Sequence, residues 1–189
     1  PGFNTNGMNA ADANKASPSA CTDIGLWVSG NLNTGSYQGT DMHYKFSTPG
    51  VTAGADKRID ADTQFGLALG AGHDNATIQD GKAHTDASSY TFSAYASHRL
   101  SAKVYLDSVL GLGHSSFNSN RMAADGSGTT LRGTRGGDHQ YLSLRLGGIY
   151  PQQDWVFNPY ARLDQIAGTL GSYAESGDPL NSLQFASMK

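Results

Sequence analysis

A single cysteine, Cys21, stands among 189 residues, so no internal disulfide can form, and the thiol is read as free. No stretch approaches the roughly 18 to 20 consecutive apolar residues that a membrane helix requires. Pro1 to Asp23 is rich in Asn, Ala, Asp and Ser without an apolar run, so it is no secretory signal and reads as a flexible polar linker, residues 1–23. Charge of either sign is scarce. With 15% charged residues and a formal net charge of -3, the chain lacks the basic stripe of a nucleic-acid binder, and no nucleic-acid partner is expected. The six histidines, His43, His73, His84, His98, His114 and His139, are scattered without zinc-like spacing. A Gly-x-Ser-x-Gly elbow, a phosphate-cradling glycine loop and a dinucleotide fingerprint are all missing, so no cofactor is expected.

What is present is alternation. From Val51 to Ile59 the odd positions read Val51, Ala53, Ala55, Lys57, Ile59 and the even ones Thr52, Gly54, Asp56, Arg58, with Lys57 the one charge on the apolar side. Val104, Leu106, Leu110 and Leu112 share a parity opposite Tyr105, Asp107, Gly111 and Gly113; Leu142, Leu144 and Leu146 oppose Tyr141, Ser143, Arg145 and Gly147. Phe157, Ala161 and Leu163 stand against Asn158, Tyr160, Arg162 and Asp164. Side chains alternate along a strand, so each segment has one apolar and one polar face. Opposite Phe65, Leu67, Leu69 and Ala71 lie Gly66, Ala68, Gly70 and Gly72, too small to fill a soluble core but suited to the inside of a wide or plugged barrel. Apolar outward and small or charged inward is the pattern of a transmembrane β-barrel, and a mean hydropathy of -0.43 is compatible with it because only alternate residues meet lipid.

Eight strands are predicted: 24–33, 44–60, 63–76, 88–100, 102–117, 139–150, 155–170 and 180–187. Short turns at Asp60–Asp62, Leu100–Ala102 and Pro151–Asp154 alternate with longer polar connections at 34–43, 77–87, 118–138 and 171–179. In an antiparallel up-and-down meander this puts all short turns at one rim and all long loops at the other, as in outer-membrane barrels. Trp27, Tyr44, Phe46, Tyr90, Phe92, Phe117, Tyr150, Trp155 and Phe157 near strand ends are candidates for interfacial girdles.

The segments Leu26-Trp27-Val28-Ser29-Gly30, Gly50-Val51-Thr52-Ala53-Gly54-Ala55-Asp56-Lys57-Arg58, Phe65-Gly66-Leu67-Ala68-Leu69-Gly70 and Tyr90-Thr91-Phe92-Ser93-Ala94-Tyr95-Ala96 resemble, in order and spacing, the C-terminal β-barrel translocator domain of type V autotransporters. Val104-Tyr105-Leu106-Asp107 and Phe157-Asn158-Pro159-Tyr160-Ala161-Arg162-Leu163 continue the series, so the resemblance runs from Ile24 to the end, residues 24–189. It implies an all-β transmembrane barrel in a Gram-negative outer membrane, not an enzyme. Such a barrel anchors and exports a passenger attached in cis, meets outer-membrane lipid and is inserted by the barrel-assembly machinery. Family domains have twelve strands, whereas about eight are read here. The expectation is therefore an incomplete barrel whose open sheet leaves two unpaired edges, each unsatisfied group costing several kcal/mol in hydrocarbon. A complete small eight-stranded barrel is the alternative, and a soluble β-sandwich a third reading.

Seven charged residues fall on the polar parity and are the candidate lumen-facing set: Asp56, Arg58, Arg99, Asp107, Arg145, Arg162 and Asp164. Their simplest role is to pair with one another or with a threaded linker inside a hydrated passage. For catalysis the one arrangement worth testing is His114-Ser115-Ser116 with Asn118 or Asn120, which holds the residue types of an outer-membrane lipid hydrolase's Ser-His-Asn set, but no catalytic residue is assigned. Asp74, Asp80 and Asp86 could approach a calcium ion but read as hydrated loop carboxylates, so no metal is assigned either. Arg132 to Gly137 reads as a flexible loop with solvated arginines, able to touch lipopolysaccharide phosphates.

Overall fold

The computed structural model describes residues 24–39, 43–78 and 82–189. The predicted linker with Cys21, and Asp80, lie outside the described residues. Six long strands follow one another as a meander: β1 (Ile24–Gln38), β2 (His43–Arg58), β3 (Thr63–Ile78), β4 (Ala83–Arg99), β5 (Val104–Met122) and β6 (Thr130–Gly148). Each pairs antiparallel with the next. A small separate ladder, β7 (Tyr150–Gln152) with β8 (Trp155–Phe157), precedes β9 (Tyr160–Leu170), β10 (Tyr173–Ser176) and β11 (Gln184–Phe185).

β9 and β10 are one strand interrupted by a bulge. Both pair with β6, but between Gly137↔Leu170 and Thr134↔Ala174 the second strand holds one residue more than the first. The chain then turns back, and Ala174↔Gln184, Tyr173↔Phe185 and Leu170↔Met188 follow one antiparallel register. The expected eighth strand is thus present only as scattered pairs between Gln184 and Met188. The predicted strand 155–170 is divided at Pro159. Proline has no N–H for the ladder, and only its carbonyl takes part, accepting from the Gly148 amide at 2.9 Å.

The long strands run 15 to 19 residues, well beyond the roughly 9 to 11 that cross a bilayer. The excess lies at one end. The connections 59–62 and 100–103 are tight; in the first, Asp60 accepts from the Asp62 amide at 2.8 Å, which holds its carboxyl below the usual carboxylate range. At the other end the ladders continue through most of the sequence expected to form loops. β5 and β6 pair out to Met122↔Thr130, closed by a turn with Gly126 and Gly128 at positive φ. Arg132 to Gly137 is consequently strand and not loop.

The two faces differ as the alternation requires. One carries Leu67, Leu69, Phe92, Leu110 and Leu112, each between 42% and 67% exposed. The hydrophobic residues buried among those described are Ala68, Ala87, Tyr95, Ala123 and Leu131 alone, so this sheet has no soluble-type core and its apolar face needs an apolar medium. On the opposite face aromatic rings lie flat over cross-strand glycines. Trp27 covers Gly54, Tyr95 covers Gly66, Tyr141 covers Gly111, Tyr105 covers Gly147 and Tyr173 covers Gly133; a Cβ at any of these glycines would collide with the ring.

Candidate functional site

Cross-strand register decides which side chains share a face. One row reads Arg58, Gln64, Ser97, Asp107, Arg145, Arg162. The row beside it reads Asp56, Gly66, Tyr95, Val109, Ser143, Asp164, and on the other side lie Arg99, Tyr105, Gly147 and Tyr160. All seven predicted residues therefore fall on one face within three adjacent rows, the face that carries the aromatic–glycine contacts. Four arginines stand there against three aspartates.

Their partners are varied. Asp56 accepts from Gln64 Nε2 at 2.7 Å and from the Tyr95 hydroxyl at 3.1 Å, and that hydroxyl in turn accepts from the indole N–H of Trp27. A chain of bonds thereby ties β1 to β4 across β2 and β3. Asp107 accepts from Ser97 Oγ at 2.7 Å. Arg162 Nε donates to Asp164 Oδ1 at 2.9 Å, and Arg99 approaches Asp62 in the tight turn at 3.7 Å. Arg145 lies between two rings, its guanidinium carbon 4.8 Å from the centroid of Tyr160 and 5.6 Å from that of Tyr105, with its Nε buried and lacking a hydrogen-bond partner. Such stacking holds a cation where a carboxylate is not directly bonded. Arg145 and Arg162 are directly opposed across the ladder, and the Tyr rings and Asp164 respectively offset that repulsion.

Sequence reasoning missed the aromatic half of this face. Trp27, Tyr44, Phe46 and Phe117, read as girdle candidates, share the parity of the charged residues: Trp27 sits on Gly54, Phe46 on Gly35, and Phe117 faces Arg135. Tyr90 and Phe92 lie on the apolar face. The signal was available, since these aromatics fall on the same parity as the glycines.

The other candidates resolve by face. His114 Nδ1 meets Asp138 Oδ1 at 2.7 Å across the ladder, and Ser116 Oγ lies 3.5 Å from its Nε2. The partner is Asp138 and neither Asn118 nor Asn120. Asp138 is 76% exposed, so this is a solvated pair at the border where the apolar face gives way to polar residues. Asp74 and Asp86 occupy opposite faces, because Asp86 is aligned with Asn75. Among the described residues no group of three or more His, Cys, Asp or Glu is placed to hold a metal.

The family model of the autotransporter beta-domain matches residues 26–189. The translocator domain of autotransporter NalP from Neisseria meningitidis superimposes with a TM-score of 0.74 at 17% identity, covering 90% of this chain and 59% of that one. The chain thus spans 59% of the length of that domain, and at this identity the likeness shows the fold, an antiparallel β-barrel wall. The beta domain of the Bordetella autotransporter BrkA is matched at 15% identity over 86% of this chain and 94% of its own, with a TM-score of 0.40. No curated protein sequence is matched. Translocator barrels of this kind are non-enzymatic transport barrels of type V secretion, reside in the bacterial outer membrane and imply a passenger domain in cis. The observed meander, its two-faced alternation and the match over residues 26–189 lead to one conclusion: the chain belongs to the autotransporter β-domain family.

Proposed function

We propose that the face bearing Asp56, Arg58, Arg99, Asp107, Arg145, Arg162 and Asp164 lines a hydrated lumen through which an attached passenger reaches the cell surface. The observation that carries this reading is the register: seven charges share one face, and Leu67, Leu69, Leu106, Leu110, Leu112, Leu142, Leu144 and Leu146 share the other. Charge placed toward water inside a barrel is cheap, whereas an Arg toward lipid costs about 2 to 4 kcal/mol at the midplane. The face presents fixed dipoles and ions of both signs, so a polar chain crossing it exchanges water for equivalent partners. Residues 1–23, polar and directly ahead of β1, are the segment that would join wall to passenger. The apolar face would contact outer-membrane lipid, and strand-by-strand insertion calls for the barrel-assembly machinery.

Neighbouring substitutions in β5 test the assignment. In the full-length protein, Leu110→Arg should abolish most of the heat-modifiable, membrane-inserted form, while Val109→Arg, one residue away on the charged face, should retain it. Equal recovery of the two inserted forms would refute the facing.

A further inference from the structure

The most heavily bonded carboxylate lies at the end of the sheet far from the tight turns. Glu175 in β10 has a side chain only 3% exposed. It accepts from Arg121 Nε at 2.9 Å and Nη2 at 2.7 Å, a bidentate fork, and also from the Tyr173 hydroxyl at 3.1 Å and the Leu183 amide at 2.9 Å. Arg121 is aligned with Leu131, and Glu175 with Gly133, so both side chains point to the charged face. Arg121 Nη2 also reaches the Asn181 carbonyl at 2.9 Å. The turn between β10 and β11 must therefore fold onto that face instead of extending away from the strand ends.

Two further contacts hold it there. Asn181 Nδ2 donates to Asp125 Oδ2 in the β5–β6 turn at 2.9 Å and to Asp178 Oδ2 at 2.7 Å. Leu131 beneath is fully buried, the one large side chain among those described with no exposure, and Gly177, at φ 128°, approaches it closely. A strand side chain on the inside of a barrel wall is ordinarily wet; complete burial means that chain covers it. Arg121 lies seven residues beyond His114, roughly 23 Å along the strand past the border of the apolar face, so the whole arrangement stands clear of the membrane at the outward rim.

We propose that the segment 177–183 is a strap folded across the inner wall at the outward mouth, fastened by the Arg121–Glu175 pair, and that these two residues set the width through which solutes or the passenger emerge. This rests on the charged face being the lumen. The buried fork makes the strap two-state. Removing Arg121 leaves the Glu175 carboxylate buried without its cation, which is costly enough to expel the segment as a unit and not merely soften it.

The test uses single-channel conductance of the full-length protein in planar bilayers, in a Cys21→Ser background. Arg121→Gln, which leaves the buried Glu175 carboxylate without its cation, should at least double the conductance and open residues 177–183 to protease. Should that variant fail to insert, Asn181→Ala with Asp125→Ala loosens the turn without touching the Arg121–Glu175 pair and should give a smaller rise. A control, Val109→Cys treated with a bulky water-soluble thiol reagent, should block current in every background. Unchanged conductance with the turn cleaved and the control blocking overturns the strap alone. A control that fails to block removes the lumen reading and the strap with it.

Discussion

At the scale of single residues, glycine and aromatic side chains work as pairs on the charged face. Gly66 lies beneath Tyr95, whose hydroxyl links Trp27 to Asp56. Gly66→Val should displace the ring and cost about 1 to 3 kcal/mol as overpacking, seen as a lower midpoint in heat-modifiability. Tyr95→Phe keeps the ring seated and loses only the hydroxyl's bonds, so a shift near 1 kcal/mol is expected. The sign of the pH response at Glu175 is also set locally. Chiefly through the hydrogen bond from Arg121, its carboxyl is held below the ordinary carboxylate range, so the folded value lies under the unfolded one. The stabilisation is complete above the unfolded value and is lost as pH falls through the folded one. Acidification through that lowered folded value should therefore make segment 177–183 protease-accessible in wild type, while Glu175→Gln should be accessible already at neutral pH.

At the scale of elements, the apolar halves of the strands were legible and the polar halves were not. Leu106, Leu110 and Leu112 announce β5, but Asn118 to Arg121 are polar on both faces and have the composition of a loop. They are strand because Thr130 to Thr134 of β6 supplies matching backbone partners, a fact about the neighbour that no local window contains. The seven charged positions were legible because parity survives errors in strand boundaries. Their bonding partners were not, since cross-strand stagger alone brings Ser97 to Asp107 and Gln64 to Asp56. The bulge after Leu170 escaped notice for the same reason. Deleting Ser172 should remove the bulge while leaving Ala174 opposite Thr134 and Glu175 opposite Gly133, so Glu175 stays on the charged face and the fork to Arg121 survives. A protease-resistant segment 177–183, with the heat-modifiable form retained, is the expected result; cleavage there would show that the bulge itself is needed to seat the turn.

For the whole molecule, the sheet is open: β1 pairs with β2 on one side only, and the chain's last pairs lie along β9 and β10. Along β1 the apolar side chains Leu26, Val28 and Leu32 are 67% to 82% exposed beside a row of free backbone groups. In hydrocarbon such an edge must find a further strand, in keeping with the 59% of the NalP domain that this chain spans. The tight-turn end and the extended end also give the molecule a polarity across the membrane, with the fork at the extended end as the rim feature that departs from a plain meander.

The seated aromatics bear on how such a sheet avoids being zipped up wrongly. A slip of one residue turns leucines inward and charges outward, and lipid rejects it. A slip of two preserves the facing and would pass that test. It would, however, bring Tyr95 against Gln64 or Ala68 and Trp27 against Thr52 or Asp56, where the ring finds a side chain in its place. Alternation therefore detects odd errors and the glycine seats detect even ones, so the pairs β1–β2, β3–β4 and β5–β6 each carry a complete check on alignment.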